Sequence, residues 1–93
     1  MRIIERSNTF KRDFKRELKG RYRKVLDSEF IEVLTRLVND LPLDASYKNH
    51  SLSGDWDGYY ECHIKPDLLL IYKKIEDSMI LLARLGSHSE LFK

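Results

Sequence analysis

The spacing of apolar positions divides the chain into a helical first half and a stranded second half. Residues 2–6, Arg-Ile-Ile-Glu-Arg, suit a short strand leading into a helix, and Ser7 or Asn8 can cap that helix's exposed N–H groups. Phe10, Phe14 and Leu18 then recur at i, i+4 and i+8, an apolar seam that Gly20 can end. Asp27 or Ser28 can open a second helix. Along it Phe30, Ile31, Val33, Leu34, Leu37, Val38 and Leu41 follow a helical period, until Pro42 disfavours helical geometry at Leu41. Two helices on a short link form a hairpin with one apolar side to bury, and that side needs a sheet.

The sheet is predicted between residues 47 and 86, punctuated by turn residues Gly54, Asp55, Asp57 and Gly58. Residues 59–64 form one strand, with Tyr59, Glu61 and His63 facing one way and Tyr60, Cys62 and Ile64 the other. Lys65-Pro66-Asp67 turns the chain. Residues 68–73 read as a central strand buried on much of both faces, and residues 79–85 as a further strand after a turn at Glu76-Asp77-Ser78. Short turns between successive strands imply antiparallel pairing. The order strand, two helices, strand meander predicts an α+β domain of two layers, a helix hairpin on an antiparallel sheet. The 93 residues fit one domain, 1–93, without repeats or linkers.

Composition narrows the setting. No apolar run approaches the 18 residues of a spanning helix, and the N-terminus lacks the apolar centre of a signal peptide. A single Cys, Cys62, excludes an internal disulfide framework or a Cys-based zinc cluster and reads as a small core residue. A reducing, cytoplasmic location is expected. The net charge of +2 conceals an asymmetry: residues 1–24 carry +7, residues 25–46 carry −4 and residues 47–93 carry −1. A basic first quarter can approach phosphate backbones, or can simply be a solvated helix face.

The candidate chemistry lies in the second half. All three histidines, His50, His63 and His88, are there, with Asp67 across a turn from His63 and Arg84 near the end of the last strand. The meander can bring these five to one rim. Two groups titrating near neutrality can give and take protons in one reaction, an Asp can orient an imidazole or act as base, and a guanidinium fork matches two phosphoryl oxygens. RNA cleavage through the ribose 2′-hydroxyl needs these parts and no metal. A looser set, His50, His63, Asp67 and His88, can be drawn as a zinc site, but its spacings match no zinc pattern. The plain reading of each residue is a loop cap, a strand histidine or a surface ion pair.

The wording of the sequence is more specific. His50-Ser-Leu-Ser-Gly-Asp-Trp56-Asp-Gly-Tyr59 is followed by His63-Ile-Lys-Pro66-Asp67-Leu-Leu-Leu-Ile71-Tyr72, and the chain closes with Arg84-Leu-Gly86-Ser-His88-Ser-Glu-Leu91-Phe92. These three linked motifs resemble the YafQ branch of the RelE-like bacterial toxins over essentially the whole chain, most densely over residues 46–93. The resemblance implies a RelE-like fold (β-α-α-β-β-β, with room for one extra short strand and a short C-terminal helix). It implies a type II toxin that cuts mRNA in the ribosomal A site, needs no cofactor, and is silenced by a cognate antitoxin through which it reaches operator DNA.

By that resemblance His50, His63, Asp67, Arg84 and His88 form the catalytic rim and Phe92 positions the nucleotide. His88 is expected to protonate the leaving oxygen and Arg84 to stabilise the phosphate, with His50, His63 or Asp67 as base. Lys11, Arg12, Lys15, Arg16 and Lys19 would seat the protein on ribosomal RNA, or meet an acidic antitoxin segment. One departure is Leu68, where close relatives carry a Trp able to stack; this bears on codon preference. The alternatives are a gyrase-inhibiting toxin of the ParE branch, which shares the fold and does not need the histidine set, and a catalytically weak module acting through antitoxin and operator binding.

Overall fold

The computed structural model describes residues 1–92. Strand β1 (Ile3–Arg6) leads into helix α1 (Asn8–Glu17), and a 3-10 turn (Arg23–Asp27) into helix α2 (Glu29–Val38). Then come β2 (His50–Ser51), β3 (Tyr60–Lys65), β4 (Leu68–Ile75), β5 (Met79–Gly86) and the one-turn helix α3 (His88–Leu91). This is the expected α+β arrangement, including both the extra short strand and the C-terminal helix. No helix among the described residues is long and apolar enough to cross a membrane.

The sheet has five strands in the order β1-β5-β4-β3-β2. β2 to β5 form an antiparallel meander. β1 instead pairs parallel with β5, Ile3 opposite Met79, so the sheet is mixed rather than wholly antiparallel. The helix hairpin carries the chain across one face from β1 to β2 at the opposite edge, and the three antiparallel pairings of the meander then bring β5 back beside β1, running the same way. Alternation then sorts the meander. Cys62, Ile64, Leu68, Leu70, Tyr72, Ile80, Leu82 and Leu85 pack against Phe10, Leu26, Phe30, Val33, Leu37 and Val38 of the helical layer. On the opposite face Leu69, Ile71 and Ala83 form a smaller cluster with Leu91, edged by Leu52, Trp56, Tyr59 and Phe92. β4 is therefore buried on both faces, as its apolar run predicts.

The helix ends fall earlier than expected. Ser7 caps α1 through its Oγ, which accepts from the Phe10 N–H at 2.9 Å. α1 stops at Glu17, so Leu18 is the C-terminal cap and stays 41% exposed instead of completing the seam. α2 stops at Val38, because Asp40 takes a left-handed conformation (φ 54°). Leu41 consequently stands outside the core at 49% exposure, and Pro42 follows a helix already closed. Asp40 is held there by Arg2 and Lys74, each at 2.8 Å, and the two cations draw its carboxyl down to about 2.

These positions separate experimentally. Leu70→Ala removes a fully buried side chain at the centre of β4 and should cost about 2–5 kcal/mol by denaturant unfolding. Leu41→Ala should change stability by no more than about 0.5 kcal/mol.

Candidate active site

The site is built on the sheet face away from the helix hairpin. His50, Glu61, Ile71 and Arg84 stand opposite one another in register across β2, β3, β4 and β5. A second row runs His63, Leu69, Gly86. At about 4.8 Å per strand, His50 and Arg84 are anchored about 14 Å apart, with Ile71 and Leu69 as an apolar floor between the ends.

At one end Glu61 sits between two imidazoles. It is 5% exposed, and its Oε1 lies 3.1 Å from His63 Nε2 and 3.5 Å from His50 Nε2. The His rings are 6.0 Å apart. His50 Nδ1 is 2.7 Å from the carbonyl oxygen of Lys48, which can only accept, so Nδ1 carries the proton and Nε2 of the neutral ring keeps its lone pair. His63 has the opposite arrangement: its Nε2–H donates to the carboxylate. Glu61 stands at the centre of this group and is not among the site residues expected above. Its signal was the i, i+2 alternation with His63 on one strand face.

At the other end a one-residue bulge re-aims Arg84. Ile71 pairs with Arg84 and Tyr72 with Leu82, leaving Ala83 unpaired on β5. Ser7 pins the bulge: its Oγ donates to the Ala83 carbonyl at 2.8 Å and its N–H to that of Leu82 at 3.0 Å. Arg84 thereby reaches Asp13 of α1, Nε donating to Oδ2 at 2.8 Å and Nη2 to Oδ1 at 3.3 Å. Asp13 is 2% exposed and also accepts from the Leu85 N–H at 3.0 Å and from Arg16 Nη1 at 2.9 Å. Burial alone would raise its pKa, but bonds from Arg84, Leu85 and Arg16 outweigh it and hold the carboxyl below its usual range.

Asp67 and His88 meet beside this end. Asp67 Oδ2 is 3.2 Å from Arg21 Nη2, and its Oδ1 accepts from the His88 N–H at 3.4 Å. Ser87 and Glu90 close a capping box that starts α3, which turns His88 beside Phe92 with ring centres 5.0 Å apart. His88 is exposed and Phe92 half-buried. Leu68 is fully buried on the helical side, so its side chain does not reach the rim. Cys62 is likewise buried, and desolvation pushes its thiol up to about 12, far from a working nucleophile.

The basic helix divides. Lys11, Arg12, Lys15 and Lys19 are exposed. Arg16 is placed differently: it donates to the Leu85 carbonyl at 2.8 Å, to Asp13 and to Glu17, and lies 3.0 Å from Glu90. It joins α1 to the end of β5 and to α3 rather than standing free. Gly86 leaves room beside it: a Cβ there would meet Arg16 Nη2 at 2.6 Å and would push the guanidinium aside.

The residues on this face also bear on metal binding. Among the described residues, His50, Glu61 and His63 offer one ligand atom each within 4.8 Å of one another; Asp67 and His88 fall outside that group. Two imidazoles and a carboxylate suit a borderline divalent ion such as zinc or copper.

A family model described as bacterial toxin of type II toxin-antitoxin system, YafQ, matches residues 2–93. The chain belongs to the YafQ family of bacterial toxins. The mRNA interferase toxin YafQ of Escherichia coli K12 is 39% identical over 92 residues, covering 97% of this chain and 99% of that one. A copper-bound mutant toxin from Helicobacter pylori superposes with a TM-score of 0.86 at 39% identity, covering 99% of this chain and all of the other. The toxin from the E. coli DinJ-YafQ complex gives 0.80 at 34% identity over the full length of both.

The junction at Asp13 makes a pH-dependent contribution to stability. Its folded pKa lies below the unfolded value near 3.8, so the contribution is complete above that value and is lost as pH falls through the folded pKa. Asp13→Asn should cost about 3 kcal/mol at pH 7. In urea unfolding series, the gap from the unaltered protein should narrow steadily as pH falls below about 4.

Proposed function

We propose that this chain is an mRNA interferase, the toxin of a type II pair, which cuts mRNA in the ribosomal A site by general acid–base catalysis and is silenced by a cognate antitoxin. The observation that carries this is the cross-strand row from His50 through Glu61 to Arg84: a proton-accepting end and a phosphate-binding end on one sheet face, separated by an apolar floor. The E. coli relatives named as an mRNA interferase toxin and as a partner in a toxin–antitoxin complex support the same reading.

In this mechanism His50 is the base. Its Nε2 lone pair takes the proton of the ribose 2′-hydroxyl, and the resulting imidazolium is stabilised by Glu61 at 3.5 Å. His63 steadies Glu61 from the other side. Asp67 instead bonds Arg21 and the His88 N–H, which places it beside the acid rather than opposite it. The 2′-oxygen attacks phosphorus, Arg84 stabilises the added charge on the phosphoryl oxygens, and His88 protonates the departing 5′-oxygen. The products are a 2′,3′-cyclic phosphate and a 5′-hydroxyl end. Phe92 supplies a ring against the nucleotide. Lys11, Arg12, Lys15 and Lys19 offer phosphate contacts to ribosomal RNA.

The primary test is primer-extension mapping in a translating extract. The unaltered chain should cut the reporter in frame, and His88→Ala and His50→Gln should each lose about 10²–10⁴-fold. Cuts in ribosome-free RNA would assign the rim to a free ribonuclease. No cuts by verified folded protein would defeat the nuclease reading.

A second reading is favoured by the grouping of His50, Glu61 and His63 and by the copper-bound relative. An ion held there would occupy the same Nε2 that the mechanism uses as base. Zinc or copper at micromolar concentration should therefore inhibit cleavage, while treatment with chelator should leave it intact. Loss of cleavage on chelation, restored by added metal, would reverse that assignment.

A further inference from the structure

We infer that Asp13, on the first helix and outside the rim, is a positioning residue for cleavage: it sets the orientation in which Arg84 meets the scissile phosphate. The inference rests on the nuclease reading above and adds to it a residue that touches no substrate. The geometry is specific. A carboxylate has about four lone-pair sites, and all four of Asp13's are filled: Oδ2 by Arg84 Nε and the Leu85 N–H, Oδ1 by Arg84 Nη2 and Arg16 Nη1. Nothing in that set can turn without leaving a buried charge unpaired, which is costly.

The consequence falls on Arg84. Of its five N–H donors, Nε–H and one on Nη2 are directed at Asp13. The remaining three, two on Nη1 and one on Nη2, have no partner among the described residues, and one from each nitrogen forms the end edge of the planar fork, next to the edge that Asp13 holds. The side chain is 23% exposed, enough to be reached by a phosphate and too little to sweep freely. Arg84 follows an unpaired bulge residue, so the β-ladder alone does not aim it. Asp13 supplies that aim, as a carboxylate commonly does for the group that contacts a reacting centre. Arg16 extends the same support to α3, bonding Asp13 on one side and lying 3.0 Å from Glu90 on the other, so that Arg84 and His88 are referred to one helix.

A structural role alone would weaken the fold without favouring one catalytic group, and a double-mutant cycle separates the two. In the translating cleavage assay, Asp13→Asn should lower kcat about 100-fold with KM little changed, since misplacement by about 1 Å costs that much. In an Arg84→Ala background the same substitution should cost less than about threefold. An equal loss in both backgrounds, at temperatures where all variants are folded by circular dichroism, would overturn the inference. A turnover-independent measurement accompanies it: by NMR, the Arg84 Nε–H of the unaltered chain should exchange with water far more slowly than that of the exposed Arg12. Equally fast exchange would overturn the inference even if Asp13→Asn fails to fold. Absence of cleavage by the unaltered chain would instead remove the nuclease reading, and this inference with it.

Discussion

The fold depends on covering β4 twice. Leu68 to Tyr72 are all buried, so neither face of this strand can be left to water. The helix hairpin covers one face with a large apolar layer. The other face has only Leu91, Ala83 and the edges of Leu52, Trp56, Tyr59 and Phe92. That economy makes room for the rim: the polar row from His50 to Arg84 borders an apolar floor that the structure needs anyway. The floor lowers the local dielectric beside Glu61 and Arg84, where charge must be held, and it ties the loop carrying Trp56 and the helix carrying His88 to the stability of the whole domain.

The charges of the first helix have two kinds of work. Phe10 and Phe14 bind it to the core by area, with Phe10 stacked at 6.4 Å from Phe30. Asp13 and Arg16 bind it by polar contact to the end of β5, and Glu17 in turn bonds Arg16. Glu17 shows the cost, since burial raises its pKa despite the neighbouring Arg16. A helix that looks like a uniform basic face in the sequence is therefore a mixed object, with lysines in water and one arginine built into the frame.

Much of this was legible from residue order. The alternation along residues 59–64 put Glu61 and His63 on one face and Cys62 and Ile64 on the other, and β4 was recognisable as a continuous apolar run. The three linked motifs drew attention to the histidines, of which His50 and His63 stand together beside Glu61. Other features were not. Leu41 continues a helical period that the backbone leaves early, because Asp40 accepts a left-handed conformation and two cations reward it there, and Leu18 falls at the cap of the first helix. The parallel pairing of β1 has no local signature, since its partner lies more than 70 residues away. The bond between Asp13 and Arg84 was equally hidden: an acid amid basic residues reads as solvated until the bulge at Ala83 turns Arg84 towards it.

The position of β1 also orders events during synthesis. It is the first strand made, and its only partner in the sheet is β5, the last. Until β5 has left the ribosome, β1 has no ladder, the bulge has no Ser7 to pin it, and Asp13 has neither Arg84 nor the Leu85 N–H. Closure of the sheet and assembly of the Asp13–Arg84 junction thus wait for the same late contacts, which are long in sequence and slow to form. A partly made chain therefore lacks both the closed sheet and the Asp13–Arg84 bond, and the last strand completes the two together.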